Sequence, residues 1–224
     1  GFKLCAIGIG TSLAISGAIA HVFSGIIYTA LLWMTAGAII YRSGSNTFTQ
    51  LGGLYRSMPI TMCFAIIGAL AISAFPLVSG FTTKTMILIA AEYEHLFWTW
   101  LILEIASAGA ILHAGFKYPY FIFFGKDSGL RPKEAPKTML VAMAALSFLC
   151  VFIGCFPGTL YSILPHTDVV TSVMSSNFSD IYIHHFPKVV TKIQLLLLSV
   201  LAFLISLPLL KPKQTITLDF DWFY

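Results

Sequence analysis

The chain has 224 residues, 58% of them hydrophobic and only 10% charged, with a mean hydropathy of +0.87. Soluble domains average about 25% charged residues, so this composition excludes an ordinary soluble fold. The formal charge of +4 is small and sits in loops, where it bears on membrane topology and not on nucleic-acid binding.

Several runs of about 18 or more residues lack any charge, enough to cross about 30 Å of hydrocarbon. The alternating short segments of a membrane barrel are absent. The predicted fold class is therefore all-α, a polytopic transmembrane helix bundle. In chain order, a short helical segment covers Phe2 to about Leu13, and a long span runs from about Ile15 to Tyr41 carrying His21. Arg42 to Arg56 (RSGSNTFTQLGGLYR) is polar and Gly-rich, predicting a loop with a short interfacial helix capped by Ser45 or Asn46. A third helix starts at Pro59, a favourable first-turn position, and ends near Phe75. The fourth, Phe81 to Glu92, has about three turns and reads as half of a discontinuous transmembrane element or as a core packing helix.

A fifth span, about Leu96 to Phe124, holds Glu104, His113 and Lys117. A basic loop (KDSGLRPKEAPK) precedes a sixth span, Thr138 to Phe156, which stops at Pro157-Gly158. Thr159 to Val190 is mixed, with His166, Asp168, Asp180, His184 and His185. The seventh span, Ile193 to Leu210, is followed by Lys211, Lys213 and a tail bearing Asp219, Asp221 and Trp222. This gives three units: a transmembrane core at 1–157, an extramembrane connection at 158–192, and a terminal helix with its tail at 193–224. If every segment from the second to the seventh crosses, the 126–137 loop and the Lys211/Lys213 tail share one side. Their basic density places that side in the cytoplasm. A re-entrant Phe81–Glu92 would reverse the parity.

The most informative stretch runs from Met58 to Glu92. Two apolar helices flank a break at Pro76, Ser79 and Gly80, and Lys84 follows it at once. A lysine at the centre of a membrane helix costs roughly 2.5 to 3.5 kcal/mol. Non-helical backbone at that depth survives only where protein buries it or water faces it. Broken helices with ionisable groups near the midplane are how secondary transporters build ion sites. Lys84 thus reads as a proton- or cation-coupled site, with snorkelling from a short helix as the alternative.

His21, Gly25 and Thr29 recur every four residues and are expected on one helix face. His21 is either a proton relay, having an ordinary pKa near 6.5, or a hydrogen-bonded packing residue, and Thr29 could line a wet path. Glu104, His113 and Lys117 could continue a polar stripe. The competing readings are a snorkelling Lys117 and a Glu104 paired to another subunit. Cys5, Cys63, Cys150 and Cys155 lack metal or CxxC spacing and are expected to be buried, inert thiols. His184-His185 has nothing nearby to complete a metal set. No HExxH, GxSxG, Walker or GxGxxG pattern is present, so neither a catalytic residue nor a cofactor is assigned.

The segments GAIAHVFSGIIYTALLWMTAGAIIYRSG, LGGLYRSMPIT and ISAFPLVSGFTTKTMIL resemble the family of antiporter-like membrane subunits. That family embraces multisubunit Mrp-type sodium/proton antiporters and the pumping subunits of respiratory NADH:quinone oxidoreductase. ASAGAILHAGFKYPYFIFFGKDSGLRPKEAP and the terminal LDFDWFY are most similar to the D branch of the Mrp type. The resemblance implies the C-terminal part of a bundle of about fourteen helices in two inverted repeats. It implies a bacterial inner-membrane location, other antiporter subunits as partners, and protons and monovalent cations, sodium foremost, as the transported species. Lys84 matches the family's proton-path lysine or glutamate in its second discontinuous helix, and His21 the first residue of a histidine–histidine–lysine helix. Gly25 and Thr29 stand where that helix usually has its second histidine and its lysine. Two alternatives stay open: a proton-pumping subunit of a redox complex, and a degenerate scaffold that does not conduct.

Overall fold

The structure is a computed structural model and describes residues 1–174 and 186–208. All elements among these residues are helical. The fold is the expected all-α membrane bundle, organised around one long helix, α2 (Ser12–Ser43), against which α4 (Ser79–Tyr93), α3 (Pro59–Ile72) and α6 (Lys137–Cys155) pack. At 1.5 Å per residue, the 32 residues of α2 reach about 48 Å, more than the hydrocarbon thickness. A small-residue face lets it approach α4: a Cβ on Gly17 would lie 3.0 Å from the Ile87 side chain.

The first expected segment is shorter than predicted. α1 (Phe2–Ile9) stops where Gly10 takes the left-handed conformation at φ 75°, and Thr11 accepts a bond from the Ala14 N–H to cap α2. Between α2 and α3, Ser45 does not cap a helix. Its hydroxyl donates to Gln50 at 2.7 Å and shapes a turn, and a single 3₁₀ turn at Leu54–Arg56 stands in for the predicted interfacial helix. α3 begins at Pro59 as expected. Its first N–H groups are satisfied by Glu134, reaching over from the basic loop to Ile60 N at 3.0 Å and Thr61 N at 3.3 Å. A carboxylate complements the positive helix N-terminus. The same loop is closed by an Arg131–Asp127 pair at 2.6 Å, and that guanidinium holds the Asp127 carboxyl well below the usual carboxylate range.

α3 ends at Ile72, three residues before the predicted Phe75, and α4 starts at Ser79, two before the predicted Phe81. The connection turns sharply, with Ala74 at φ 56° and Leu77 at φ 74°. Gly80 makes the turn possible: a Cβ there would collide with the Ala71 carbonyl oxygen, and one on Gly154 of α6 would strike the Leu77–Val78 backbone. We expect Gly80→Ala to destabilise the bundle by about 1–3 kcal/mol through overpacking, read as a lower unfolding temperature of the purified complex. An unchanged temperature would show that the break has room to spare.

α5 (Phe97–Ala110) continues through wide π-type turns at Ile111–Lys117 and Tyr120–Phe124. The widening places Gly115 against the Ser73 hydroxyl at the break. Two short helices, α7 (Gly158–Tyr161) and α8 (Thr167–Met174), fold back on the bundle; Leu160, Tyr161, Val170 and Met174 are buried, and Ser16 of α2 donates to the Pro165 carbonyl at 2.6 Å. The last described helix, α9 (Phe186–Ser206), begins seven residues before the predicted Ile193. Lys192, assigned above to an extramembrane connection, therefore lies inside a helix and is 5% exposed. The readings on Asp180, His184, His185, Lys211, Lys213, Asp219, Asp221 and Trp222 lie outside the described residues.

α2, the α5 segment to Phe124, α6 and α9 are each long and apolar enough to cross a membrane. α3 and α4, at 14 and 15 residues, reach only about 21–23 Å each, as halves of an interrupted element would. The expectation of uniformly buried thiols is corrected. Cys150 is buried, Cys5 and Cys155 are intermediate, and Cys63 is exposed on the outer face of α3.

Candidate ion-path site

α4 combines the richest polar content with the deepest burial. Every residue from Ser79 to Ala91 is buried, Thr82, Thr83, Lys84 and Thr85 included. Lys84 is 3% exposed and donates from Nζ to the Ile72 carbonyl at 2.6 Å. Ile72 closes α3, so its carbonyl is one of the groups a helix C-terminus leaves unpaired, and a cation there meets the negative end of the half-helix. The break thus both admits the ammonium and supplies its partner. The Phe2 ring lies 5.3 Å from the same nitrogen, within cation–π range.

His21 of α2 is 6% exposed and shares a hydrogen bond of 3.1 Å between Nδ1 and the Thr83 hydroxyl, next in sequence to Lys84. The Phe2 ring, which contacts Lys84, also stands 5.7 Å from the imidazole, and the Tyr28 ring stands 6.3 Å from it. His21 and Lys84 thus belong to one buried constellation, linked through Thr83 and the Phe2 ring. Lys3 of α1 joins it, unmarked by any sequence signal beyond its charge. A Cβ built on Gly25 would sit 3.4 Å from both Lys3 Nζ and the Tyr28 hydroxyl. The volume a larger side chain would need at Gly25 is partly taken by the Lys3 ammonium.

Glu104 stands on α5, which packs against α4. It is bound to Lys192 of α9 at 2.6 Å, with side chains 13% and 4% exposed respectively. The sequence left open a Glu104 paired with another subunit. Its partner comes from this chain, 88 residues away. Lys192 was missed because it stands at the edge of an apolar run, where a lysine ordinarily marks the membrane boundary. Its four-residue spacing from Lys188 is the signal that could have put it on a helix face.

The other expected residues are not brought in. Thr29 is exposed although His21 and Gly25 are buried, because a four-residue step advances the helix by about 40° and two steps rotate Thr29 off the buried face. His113 is exposed and Lys117 is half-buried in the wide turns. The residues these turns do bury against the bundle are Ile111 and Gly115, and the half-buried Tyr118 meets Thr35 through its hydroxyl at 2.9 Å. Among the described residues no cluster of His, Cys, Asp or Glu could hold a metal ion.

A bundle of apolar helices around a broken one, with a lysine at the break facing a half-helix C-terminus, is the kind of arrangement from which membrane transporters build ion sites. Residues 1–109 match the family described as NADH:quinone oxidoreductase/Mrp antiporter, transmembrane. Over 173 residues it is 30% identical to a probable K(+)/H(+) antiporter A/B component of Rhizobium meliloti, covering 74% of this chain and 17% of that protein. It is 28% identical to the A1 component of a Na(+)/H(+) antiporter of Staphylococcus aureus over 77% of this chain and 23% of that one. Its fold matches a chain of the membrane-bound sulfane sulfur reductase, an archaeal respiratory membrane complex, with a TM-score of 0.66 at 24% identity, covering 97% of this chain and 36% of that one. The chain spans less than two-fifths of the length of each of these.

Proposed function

We propose that this chain forms part of one component of a multisubunit monovalent cation/proton antiporter, with sodium the first cation to test, and that protons pass along its buried polar axis. The observation that carries the reading is the Lys84 ammonium, buried at the helix break and bonded to the Ile72 carbonyl. A group so placed gains or loses its proton against the field of a half-helix terminus and of neighbouring charges. His21, joined through Thr83, supplies a second loading point. His113, Lys117 and Thr29 lie on outer or half-buried surfaces, and a role for them would be exerted where another subunit or lipid covers that face. The D-branch reading rests on the motifs quoted above, while the relatives named here are A-type components; the transport reading is the same for both.

A pumping subunit of a redox complex is the second reading, favoured by the fold match to the respiratory sulfur reductase complex. The scaffold reading draws on Gly25 and Thr29, which do not titrate. To test the proposal, the full-length complex is reconstituted into liposomes and an outward proton gradient is collapsed by adding sodium or potassium, read with an internal pH dye. Cation-dependent proton movement without any electron donor supports antiport. Movement only under redox turnover selects the second reading, and none under either condition selects the scaffold.

A further inference from the structure

The segments that join α2 to α3 and α5 to α6 are rich in cations. Residues 42–58 and 125–137 carry Arg42, Arg56, Lys126, Arg131, Lys133 and Lys137 against only two carboxylates, Asp127 and Glu134. Both carboxylates are already engaged, Asp127 by Arg131 and the Gly129 N–H, and Glu134 by the start of α3. This end of the bundle therefore holds uncompensated positive charge. The two segments are locked together: a Cβ on Gly52 would strike the Lys126 carbonyl, and the Ser128 hydroxyl donates to the Gly52 carbonyl at 3.1 Å.

Between them and the end of α9 opens a cavity of about 1240 Å³, larger than the roughly 300–1,000 Å³ of ordinary small-ligand pockets. Its lining is of two kinds, polar at Gln50, Lys126 and the paired Asp127, and apolar at Phe48, Phe121 and Leu207. The Ser45 hydroxyl takes the Gln50 Oε1, which leaves the amide N–H groups of Gln50 to donate. Lys126 has no carboxylate partner among the described residues. The Phe48 and Phe121 rings lie 6.4 Å apart, and Tyr120, also at the cavity, lies 5.4 Å from Phe203 of α9. Leu204, one turn before Leu207, is 55% exposed and continues the apolar lining along α9. α2, the α5 segment and α9 can each cross a membrane, and all three end at this cavity. Their common end sets it at the level of lipid headgroups.

We propose that the cavity binds one anionic phospholipid, with its phosphate against Lys126 and the Gln50 amide and an acyl chain along Phe48, Phe121 and Leu204. A zwitterionic lipid would leave the positive charge uncompensated, and a free phosphate ion would leave the aromatic lining unused. Bound there, the lipid ties the end of α9 to both cationic connections. The site stands independently of the transport reading.

The full-length complex tests it with p-benzoylphenylalanine, which inserts into neighbouring C–H bonds on irradiation, in place of Phe48. The complex is irradiated in vesicles of phosphatidylglycerol in excess phosphatidylethanolamine, and the adducts are identified by mass spectrometry. The proposal expects phosphatidylglycerol adducts enriched at least about fivefold over the bulk share of that lipid, the factor one basic side chain near a membrane surface corresponds to. Adducts at the bulk ratio mean annular lipid only and overturn it. A crosslink to residues 209–224 or to another subunit in place of lipid, or no adduct, does the same. Lys126→Gln should lower the enrichment about fivefold and Lys126→Arg should keep it, both with normal assembly on native gels because this side chain is exposed. Undiminished enrichment in Lys126→Gln would overturn the headgroup assignment.

Discussion

Replacing Lys84 by alanine in the full-length complex is expected to slow cation/proton exchange by roughly a hundredfold while leaving assembly intact. Removing the ammonium at the break leaves that position without a group to take up charge. A charge then crosses that depth at a cost of about 2.5–3.5 kcal/mol, and at about 1.4 kcal/mol per decade of rate this corresponds to about two orders of magnitude. The Ile72 carbonyl loses one donor at the helix break, while the helices packed around α4 keep their own contacts. Folding should therefore survive. Lys84→Arg separates charge from proton handling: arginine keeps the cation but does not release its proton near neutral pH, so it should be as slow as alanine. Everted vesicles with a pH-sensitive dye give the rate, and native gels give assembly. An arginine variant exchanging at the wild-type rate would show that the positive charge suffices and that no proton is loaded on this residue.

The second large effect concerns stability. Lys192→Met alone leaves the Glu104 carboxylate buried without its partner and should cost about 3–5 kcal/mol. Adding Glu104→Gln removes the stranded charge, and the double variant should recover to within about 1 kcal/mol of the wild type, since a neutral pair of similar volume is tolerated where a broken ion pair is not. The two residues share one interaction, so their effects must not add. Thermal unfolding of the detergent-purified complex measures the cycle. Equal losses in the single and double variants would mean that Lys192 contributes by packing its stem and not through its charge.

These expectations draw on features of different legibility. The break at Pro76 to Gly80 and the lysine beyond it could be read directly, because proline, glycine and an isolated charge are exceptional in apolar helices and each has a fixed physical meaning. The burial of His21 followed from its being a lone polar ring in a long span. Thr29 did not follow its neighbours, because a repeat of four drifts against a turn of 3.6 residues and the drift decides which side chain faces the bundle. Glu104 and Lys192 were visible as charges but not as a pair. They are 88 positions apart, and no local rule connects one helix to another across that distance.

By itself the sequence determined that the chain is a membrane bundle, where its long helices run, where one of them is interrupted, and that a cation stands at the interruption. These are consequences of transfer energies and backbone constraints acting within a few turns. Only the tertiary structure decided what surrounds that cation, the Ile72 carbonyl, the Phe2 ring and His21 through Thr83, and that Glu104 pairs with Lys192. Those partners are set by helix rotation and packing, which depend on every interface at once. A shift of less than half a turn separates a buried relay from an exposed threonine.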